Sequence, residues 1–283
     1  MWRILNAVSP ALLHQVSKRV SKTCWDNWTY RTRVAMACPD NAHIRRIPEA
    51  GKIEGGFQLM HNGLKVLVGS YYGQGSSQLL KKNRGVHEPQ EERVFQEVLR
   101  LLAPGSVMIE LGAYWAYYSM WFCKEIPNGR AYLVEPEAEN LEFGRGNFAA
   151  NKLSGAHFTH ALVGSKGATR EDGVKVICVD DFVRDQQLQE IAILHSDIQG
   201  CELEMVHGAQ ETLRAGKVAF CFISTHNVDL HEQCEAALRE IGFKILASVT
   251  PPESYSVDGL IVGRWPTAPE VSAIALSRKP PDL

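Results

Sequence analysis

No apolar run in this chain approaches the roughly 18 residues that a membrane-spanning helix needs. No two of its seven cysteines have C-x-x-C spacing, and Cys24, Cys38, Cys123, Cys178, Cys201, Cys221 and Cys234 are scattered and odd in number. That excludes a disulfide framework and a zinc site of the usual spacing, and it implies a reducing, cytoplasmic setting. A strong charge of either sign is also missing: the net charge is −2 with 22% charged residues. Such a balance carries no field that would draw nucleic acid, and it favours a small or neutral partner. Pro10 breaks the apolar run that a signal peptide would need.

At 283 residues the chain has room for one large core and an appendage. The breakers and motifs divide it into an N-terminal helical and irregular extension over 1–84, a main domain over 85–266 and a tail over 267–283. Trp2, Ile4, Leu5, Val8, Leu12, Leu13, Val16 and Val20 follow helical spacing among Arg3, Lys18 and Arg19. Such a stripe packs on the main domain or on a second subunit, as in a homodimer. Peripheral contact of residues 1–20 with a membrane surface is the alternative.

The chain is organised around VMIELGAYWAYYS, Val107 to Ser119. A short apolar run after the Pro104-Gly105 turn reads as a buried parallel strand; it ends at Glu110 and Gly112 and then turns helical. Glycine there lets the backbone bend sharply at the carboxyl end of the strand, where open α/β sheets bind nucleotides. The next apolar run, AYLVEPE, ends at Glu135, 25 residues beyond Glu110. An acid at that point is placed to accept hydrogen bonds from both hydroxyls of a ribose. Glycine is scarce in the turn itself: Gly112 is followed by Ala113, Tyr114, Trp115 and Ala116. Without several glycines, backbone N–H groups have no cradle for a pyrophosphate. A nucleoside carried without phosphates fits better, and S-adenosyl-L-methionine (SAM) is the commonest such cofactor.

The rest of the chain supplies an α/β alternation. Ahead of the first strand, Pro89, Glu91 and Glu92 suit a helix start, and Val94, Phe95, Val98, Leu99 and Leu102 form its stripe. His87 and Glu88, at that start, fall near the mouth of the crevice as candidate substrate contacts. A helix over Asn140 to Asn151 and a third strand over Ala156 to Gly164 follow. Asp180 and Asp181 suit a helix cap. The fourth strand, IAILHSD, ends at Asp197; the fifth, KVAFCFISTH, places His226 at its carboxyl edge; a helix runs from Asp229 to Ile241. FKILASV and DGLIVGRW are separated by a loop too short for a helix and should pair antiparallel. The expectation is a doubly wound α/β sheet of order 3-2-1-4-5-7-6 with its last strand antiparallel, the architecture of class I methyltransferases.

Four segments, GVHEPQEERVF, ELGAYWAYYS, VEPEAENL and SDIQGCELEMVHGA, resemble the FkbM family of SAM-dependent O-methyltransferases. They span about Gly85 to Ala209, and the last is the most family-specific. Gln199 stands where many members have Glu, and Glu110, Tyr114 and Ala116 depart from the commoner Asp-x-Gly-Ala-Asn-x-Gly form. The resemblance implies that Glu110, Gly112, Ala113 and Tyr114 form the turn under the cofactor. It implies too that Ser119 reaches the cofactor carboxylate, that Glu135 holds the ribose, and that Pro136 and Leu162 border the adenine. Asp197 would face the methionine portion.

A hydroxyl is a poor nucleophile at neutral pH and needs a base or a metal. His226 is the expected base, with His87, His195 and Asp197 as alternatives; Asp197 and His226 alone make no metal shell, and no metal is expected. The resulting expectation is transfer of a methyl group to a hydroxyl of a sugar or natural-product acceptor. A non-catalytic cofactor-binding scaffold and a nicotinamide oxidoreductase remain as alternatives, the latter without its glycine fingerprint.

Overall fold

The computed structural model describes residues 22–283. The stretch expected to form an amphipathic helix over residues 1–20 lies outside the described residues. Helix α1 (Lys22–Ala37) and a 3-10 turn (Pro39–His43) lead to a small antiparallel sheet of β1 (Ile53–Glu54), β2 (Phe57–Leu59) and β3 (Lys65–Leu67). Helix α2 (Gln74–Lys82) and helix α3 (Pro89–Leu99) precede the main sheet. Then come β4 (Val107–Leu111), α4 (Tyr117–Glu125), β5 (Arg130–Glu135), α5 (Ala138–Ala150) and β6 (Ala156–His160). A second small sheet holds β7 (Leu162–Val163), β8 (Ala168–Thr169) and β9 (Lys175–Ile177), followed by α6 (Val179–Asp185). The chain returns with β10 (Ile191–Ser196), α7 (Glu202–His207), α8 (Gln210–Arg214), β11 (Val218–Thr225), α9 (Val228–Ile241), β12 (Lys244–Val249) and β13 (Gly259–Arg264).

The seven-stranded sheet has the order β12-β13-β11-β10-β4-β5-β6. β6, β5, β4, β10 and β11 are mutually parallel, and β13 lies antiparallel between β11 and β12. The α/β class and the mostly parallel sheet therefore agree with the sequence. β4 sits at the centre with all five residues buried. Its pleat divides them: Met108 joins an apolar layer with Phe95 of α3 and Phe222 of β11, while Val107, Ile109 and Leu111 join Met205, Val206 and Leu213 on the other face. Coverage of both faces is why the strand reads as a continuous apolar run. Burying a side chain such as Phe95 contributes on the order of 1.5–3 kcal/mol.

Described residues of the N-terminal extension share this core. Trp28, Leu79 and Leu80 belong to the same apolar layer as Phe95, Tyr117 and Phe122. The tail is laced back as well: Ile274 N–H donates to Leu246 O, Lys279 N–H to Glu253 O, and Ser277 N–H to the Asp40 carboxylate.

Two expected elements differ. The third strand does not run unbroken from Ala156 to Gly164. β6 ends at His160, Ala161 N–H makes a last bond to Glu135 O, and Leu162-Val163 turn away to pair with β9. The first small sheet, of which the sequence showed only LKVLVG, is built on Gly55 and Gly56 at φ +58° and +83°. Among the described residues no helix is long and apolar enough to cross a membrane.

Candidate functional site

The bend after β4 is fixed by Gly112. Its φ is +76°, and a Cβ there would lie 1.9 Å from the carbonyl oxygen of Asp197. Only a residue without a side chain lets the ends of β4 and β10 come this close. Gly112 and Ala113 N–H groups both donate to Val134 O, at 2.8 and 3.1 Å. Tyr114 and Ala116 follow at φ +44° and +66°. Non-glycine residues pay for such angles, and they persist where the surroundings over-determine them.

The Glu135 side chain crosses over this bend. One carboxylate oxygen accepts from Tyr114 N–H at 3.0 Å; the other accepts from Glu137 N–H at 3.0 Å and from the Asn140 amide at 3.1 Å. Burial raises its pKa above the usual carboxylate value, against those three hydrogen bonds. The carboxylate is thus oriented in advance, at the carboxyl end of β5.

Beside it opens a crevice of about 600 Å³, within the range of small-molecule sites. Gly112, Val134 and Glu135 line its floor, Phe143, Ala161, Leu162 and Val163 form an apolar slot beside Pro136, and Asp197, Ile198, Gln199 and Cys201 close one end. Trp28, Tyr72 and Tyr114 form an aromatic roof, with Tyr72 and Tyr114 ring centroids 5.0 Å apart. Four carboxylates, Glu135, Glu137, Glu139 and Asp197, line the crevice, and among the described residues no lysine or arginine does. That field repels phosphates and suits a cationic ligand.

Of the residues expected here, Gly112, Tyr114, Glu135, Pro136, Leu162 and Asp197 line the crevice. Glu110, Ala113 and Ser119 do not. Glu110 lies under the bend and accepts from Ser119 N–H at 3.1 Å, tying down an N–H at the start of α4 that has no partner within the helix. Burial raises Glu110 to about 7 even though His195 and Ser119 pull it down. Ser119 is fully buried, and its side chain as well as its N–H bears on Glu110. It therefore cannot reach a carboxylate in the crevice, as the resemblance implied, because α4 turns that face into the core.

His87 and Glu88 are also displaced from expectation. Both are buried, with His87 Nδ1 2.6 Å from Glu92 and Nε2 3.1 Å from Glu88, which also accepts from the Tyr118 hydroxyl. Tyr71 stands before them, stacked on Trp115 at 4.6 Å and edge-on to His87. They border a narrow recess with Trp28 and Tyr255 rather than the crevice. Burial lowers the pKa of His87, but Glu88 and Glu92 more than reverse it, to about 10. His195 is likewise buried, 2.6 Å from Glu91, which accepts from the Ser224 hydroxyl through its other oxygen.

His226 sits at the end of β11 as expected, among three carboxylates. Its Nδ1 is 2.5 Å from Glu202, and its Nε2 faces Asp197 at 3.3 Å, Asp258 at 3.4 Å and the Gln199 amide at 3.0 Å. Burial pulls its pKa down; hydrogen bonds to Asp197 and Glu202, with the charge of Asp258, overcome this and raise it to about 10. A shift in that direction favours the protonated imidazole, which has no free lone pair to accept a proton. Asp197 keeps its place between the crevice and this cluster. Among the described residues, no group of three or more His, Cys, Asp or Glu side chains has the geometry of a metal site.

Sequence reasoning missed Trp28, Tyr72, Glu202 and Asp258. Trp28 falls where the sequence reads as irregular although the chain forms α1 there, and Tyr72 lies in the short mixed run before α2. Asp258 reads as the polar start of a strand, and only the hairpin brings it to His226. Asp180, expected as a cap, caps a different helix: it accepts from Glu211 and Thr212 N–H at the start of α8.

The model of the methyltransferase FkbM domain matches residues 135–245. That segment is similar to the FkbM methyltransferase domain. It contains Glu135, Asp197, Glu202 and His226, and SAM, the cofactor expected from the sequence, agrees with it. No curated protein matches the chain. Among solved structures the chain is similar to precorrin-6y C5,15-methyltransferase from Geobacter metallireducens GS-15, at 19% identity over 62% of this chain and 88% of that one, with a TM-score of 0.46. It is also similar to M. capricolum TrmK in complex with S-adenosyl-homocysteine, at 13% identity over 62% of this chain and 69% of that one, TM-score 0.42. The bend at Gly112, the aromatic roof and Asp258 all lie outside the matched FkbM segment.

Proposed function

We propose that the chain is a SAM-dependent O-methyltransferase that methylates a hydroxyl of a small-molecule or glycan acceptor, a sugar or a natural product, in the crevice between β4, β5 and β10. The observation that carries this is the Glu135 carboxylate, held by three hydrogen bonds at the end of β5 and facing a crevice that, among the described residues, is lined by acids and no cation. The residues fit the cofactor. Glu135 would take the ribose hydroxyls, Phe143, Leu162 and Pro136 would border the base, and Asp197 would face the positive methionine end. The same acids, and the absence of a glycine-rich turn, disfavour a dinucleotide.

When bound, SAM supplies a methyl group already activated by its sulfonium. The chain's own task is then to align an acceptor oxygen with the carbon–sulfur bond and to remove its proton. Trp28 and Tyr72 would offer apolar faces, and Asp197 and Gln199 hydrogen bonds, to an acceptor in the crevice. Flat aromatic faces beside carboxylates suit a polyhydroxylated ring.

Isothermal titration of the folded protein with SAM, and separately with NAD, tests the reading. Heat with SAM and none with NAD is the expected result. No heat with SAM removes the enzyme reading.

A further inference from the structure

A second cavity, of about 330 Å³, opens at the far end of the helices that flank the crevice, and among the described residues the two share no lining. The last turn of α3 and the residue after it supply Gln96, Leu99 and Arg100, and the last turn of α4 supplies Trp121 and Glu125. Residues 45–47, with His61 and Asn62, close the remaining side. α3 leads into β4 and α4 into β5, so their carboxyl ends stand at the amino ends of those strands. Gly112 and Glu135 mark the opposite ends, where the crevice lies.

The wall of this cavity is fixed by the backbone. Arg45 N–H donates to Gln96 Oε1 at 3.0 Å, Ile47 N–H donates to His61 O at 2.9 Å, and His61 Nδ1 lies 2.8 Å from Arg45 O. His61 is 1% exposed and packs edge-on against Trp121, ring centroids 4.6 Å apart. Arg45 and Arg46 are thus presented on a segment already in place, and a ligand is spared the cost of ordering it.

The charge here is opposite to that of the crevice. Arg45, Arg46 and Arg100 line the cavity, and Lys124 donates to Asn62 O beside it. Against these cations stand Glu125, on the lining, and Glu97, which Arg100 pairs with. The Arg46 guanidinium donates to Asn41 O, Asn41 Oδ1 and Ile44 O, all uncharged, and its buried Nε has no partner. Among the described residues neither Arg45 nor Arg46 forms an ion pair. Burial pulls the Arg46 pKa below its ordinary value; Glu92 opposes the fall and Arg84 adds to it. A half-buried cation without a counterion is costly, and an anion in the cavity would offset that cost.

We propose that this cavity is a second ligand site, which takes a small phosphate monoester. Arg45, Arg46 and Arg100 hold the phosphate, whose oxygens match the planar fork of a guanidinium. Ile47, Leu99 and the edge of Trp121 face the organic part. A monoester is close to a dianion at neutral pH, which suits the excess of cations better than a singly charged carboxylate does. The volume is at the low end of small-molecule sites, roughly 300–1,000 Å³, and excludes a dinucleotide. The site is independent of the methyltransferase reading.

The test is an NMR titration of the nitrogen-15-labelled full chain with phenyl phosphate, inorganic phosphate and phenol, each at constant ionic strength. Phenyl phosphate should give saturable shifts at the backbone N–H groups of Arg45, Asn62 and Arg100, tighter than inorganic phosphate, and phenol should give none there. The Arg45 and Arg100 side chains are exposed at the surface, so the double variant Arg45→Gln, Arg100→Gln should keep the melting temperature. It should weaken phenyl phosphate by about tenfold or more through loss of charge-assisted hydrogen bonds. SAM affinity, measured by calorimetry, should stay within about twofold, as expected of separate sites. No saturable shift at millimolar phenyl phosphate, shifts centred on Gly112 and Tyr114, or full affinity in the double variant overturns the site. Equal affinity for inorganic phosphate and phenyl phosphate overturns the monoester assignment. Failure of the wild-type protein to bind SAM sinks the methyltransferase reading and leaves this site standing.

Discussion

The carbonyl oxygen of Asp197 occupies the space that a side chain on Gly112 would need, 1.9 Å from an ideal Cβ. Two strand ends that sit side by side in the sheet, β4 and β10, are thereby brought into direct backbone contact at the head of the crevice. Gly112→Ala is expected to destabilise the protein by about 2–4 kcal/mol, combining a left-handed φ with an overpacked contact. Urea unfolding measures this, and a loss under 0.5 kcal/mol would mean the strand ends can part freely.

Glu135→Ala removes a buried carboxylate whose three hydrogen bonds fix the bend and whose proposed fourth partner is the ribose. SAM affinity should fall by about 1.5–3 kcal/mol, the worth of hydrogen bonds to a charged group, or roughly 10- to 150-fold. Calorimetry at matched salt reads it. Equal affinity in the variant would place the ribose elsewhere.

Stability should decline on the alkaline side. His87 is raised from 6.5 to about 10, and His195 is raised to about 9, each by glutamates that outweigh burial. A group whose folded pKa is raised contributes fully below its unfolded value, and that contribution is lost as pH climbs through the folded one. For these histidines the window runs from about 6.5 to about 10. Glu110, raised to about 7, acts with the same sign between pH 4.5 and 7. Melting temperature should therefore drop by several degrees between pH 6.5 and 9.5, on the order of 2–4 °C per kcal/mol for a chain of this size. The double variant Glu91→Gln, His195→Gln should flatten part of that slope. A melting temperature constant to pH 9.5 would show that these pairs are not ionised as described.

Asp180→Ala offers a test of the scaffold away from the crevice. Its carboxylate caps α8 through two backbone N–H groups at 3.0 and 2.8 Å. Loss of the cap should cost about 0.5–2 kcal/mol in thermal or urea unfolding and leave SAM affinity unchanged. A large fall in affinity would couple α8 to the crevice.

The sheet was legible in the sequence because its central strands are apolar on both faces, and β4, β5 and β10 each stop at an acid or a glycine. The Gly112 bend and Glu135 could be read for the same reason, since both lie at strand ends marked by a change of chemistry. Ser119, His87 and Glu88 were misplaced because spacing along a helix says which residues share a face, not which face meets the core. The partners that decide the matter lie on other elements: Glu88 meets Tyr118 of α4 across 30 residues, and the neighbouring Glu91 meets His195 and Ser224 across 104 and 133. Asp258 was invisible for a related reason, as a loop residue that meets His226 only when the hairpin folds back on β11.

Tyr114 and Ala116 hold left-handed backbone angles with no glycine to ease them. Local preference alone would let this bend relax, so its shape is borrowed from Glu135, Val134 and the helix beyond. A short peptide copied from Val107 to Ser119 should not retain it. The ligand grip and the integrity of the whole sheet are then one property, gained and lost in a single cooperative event.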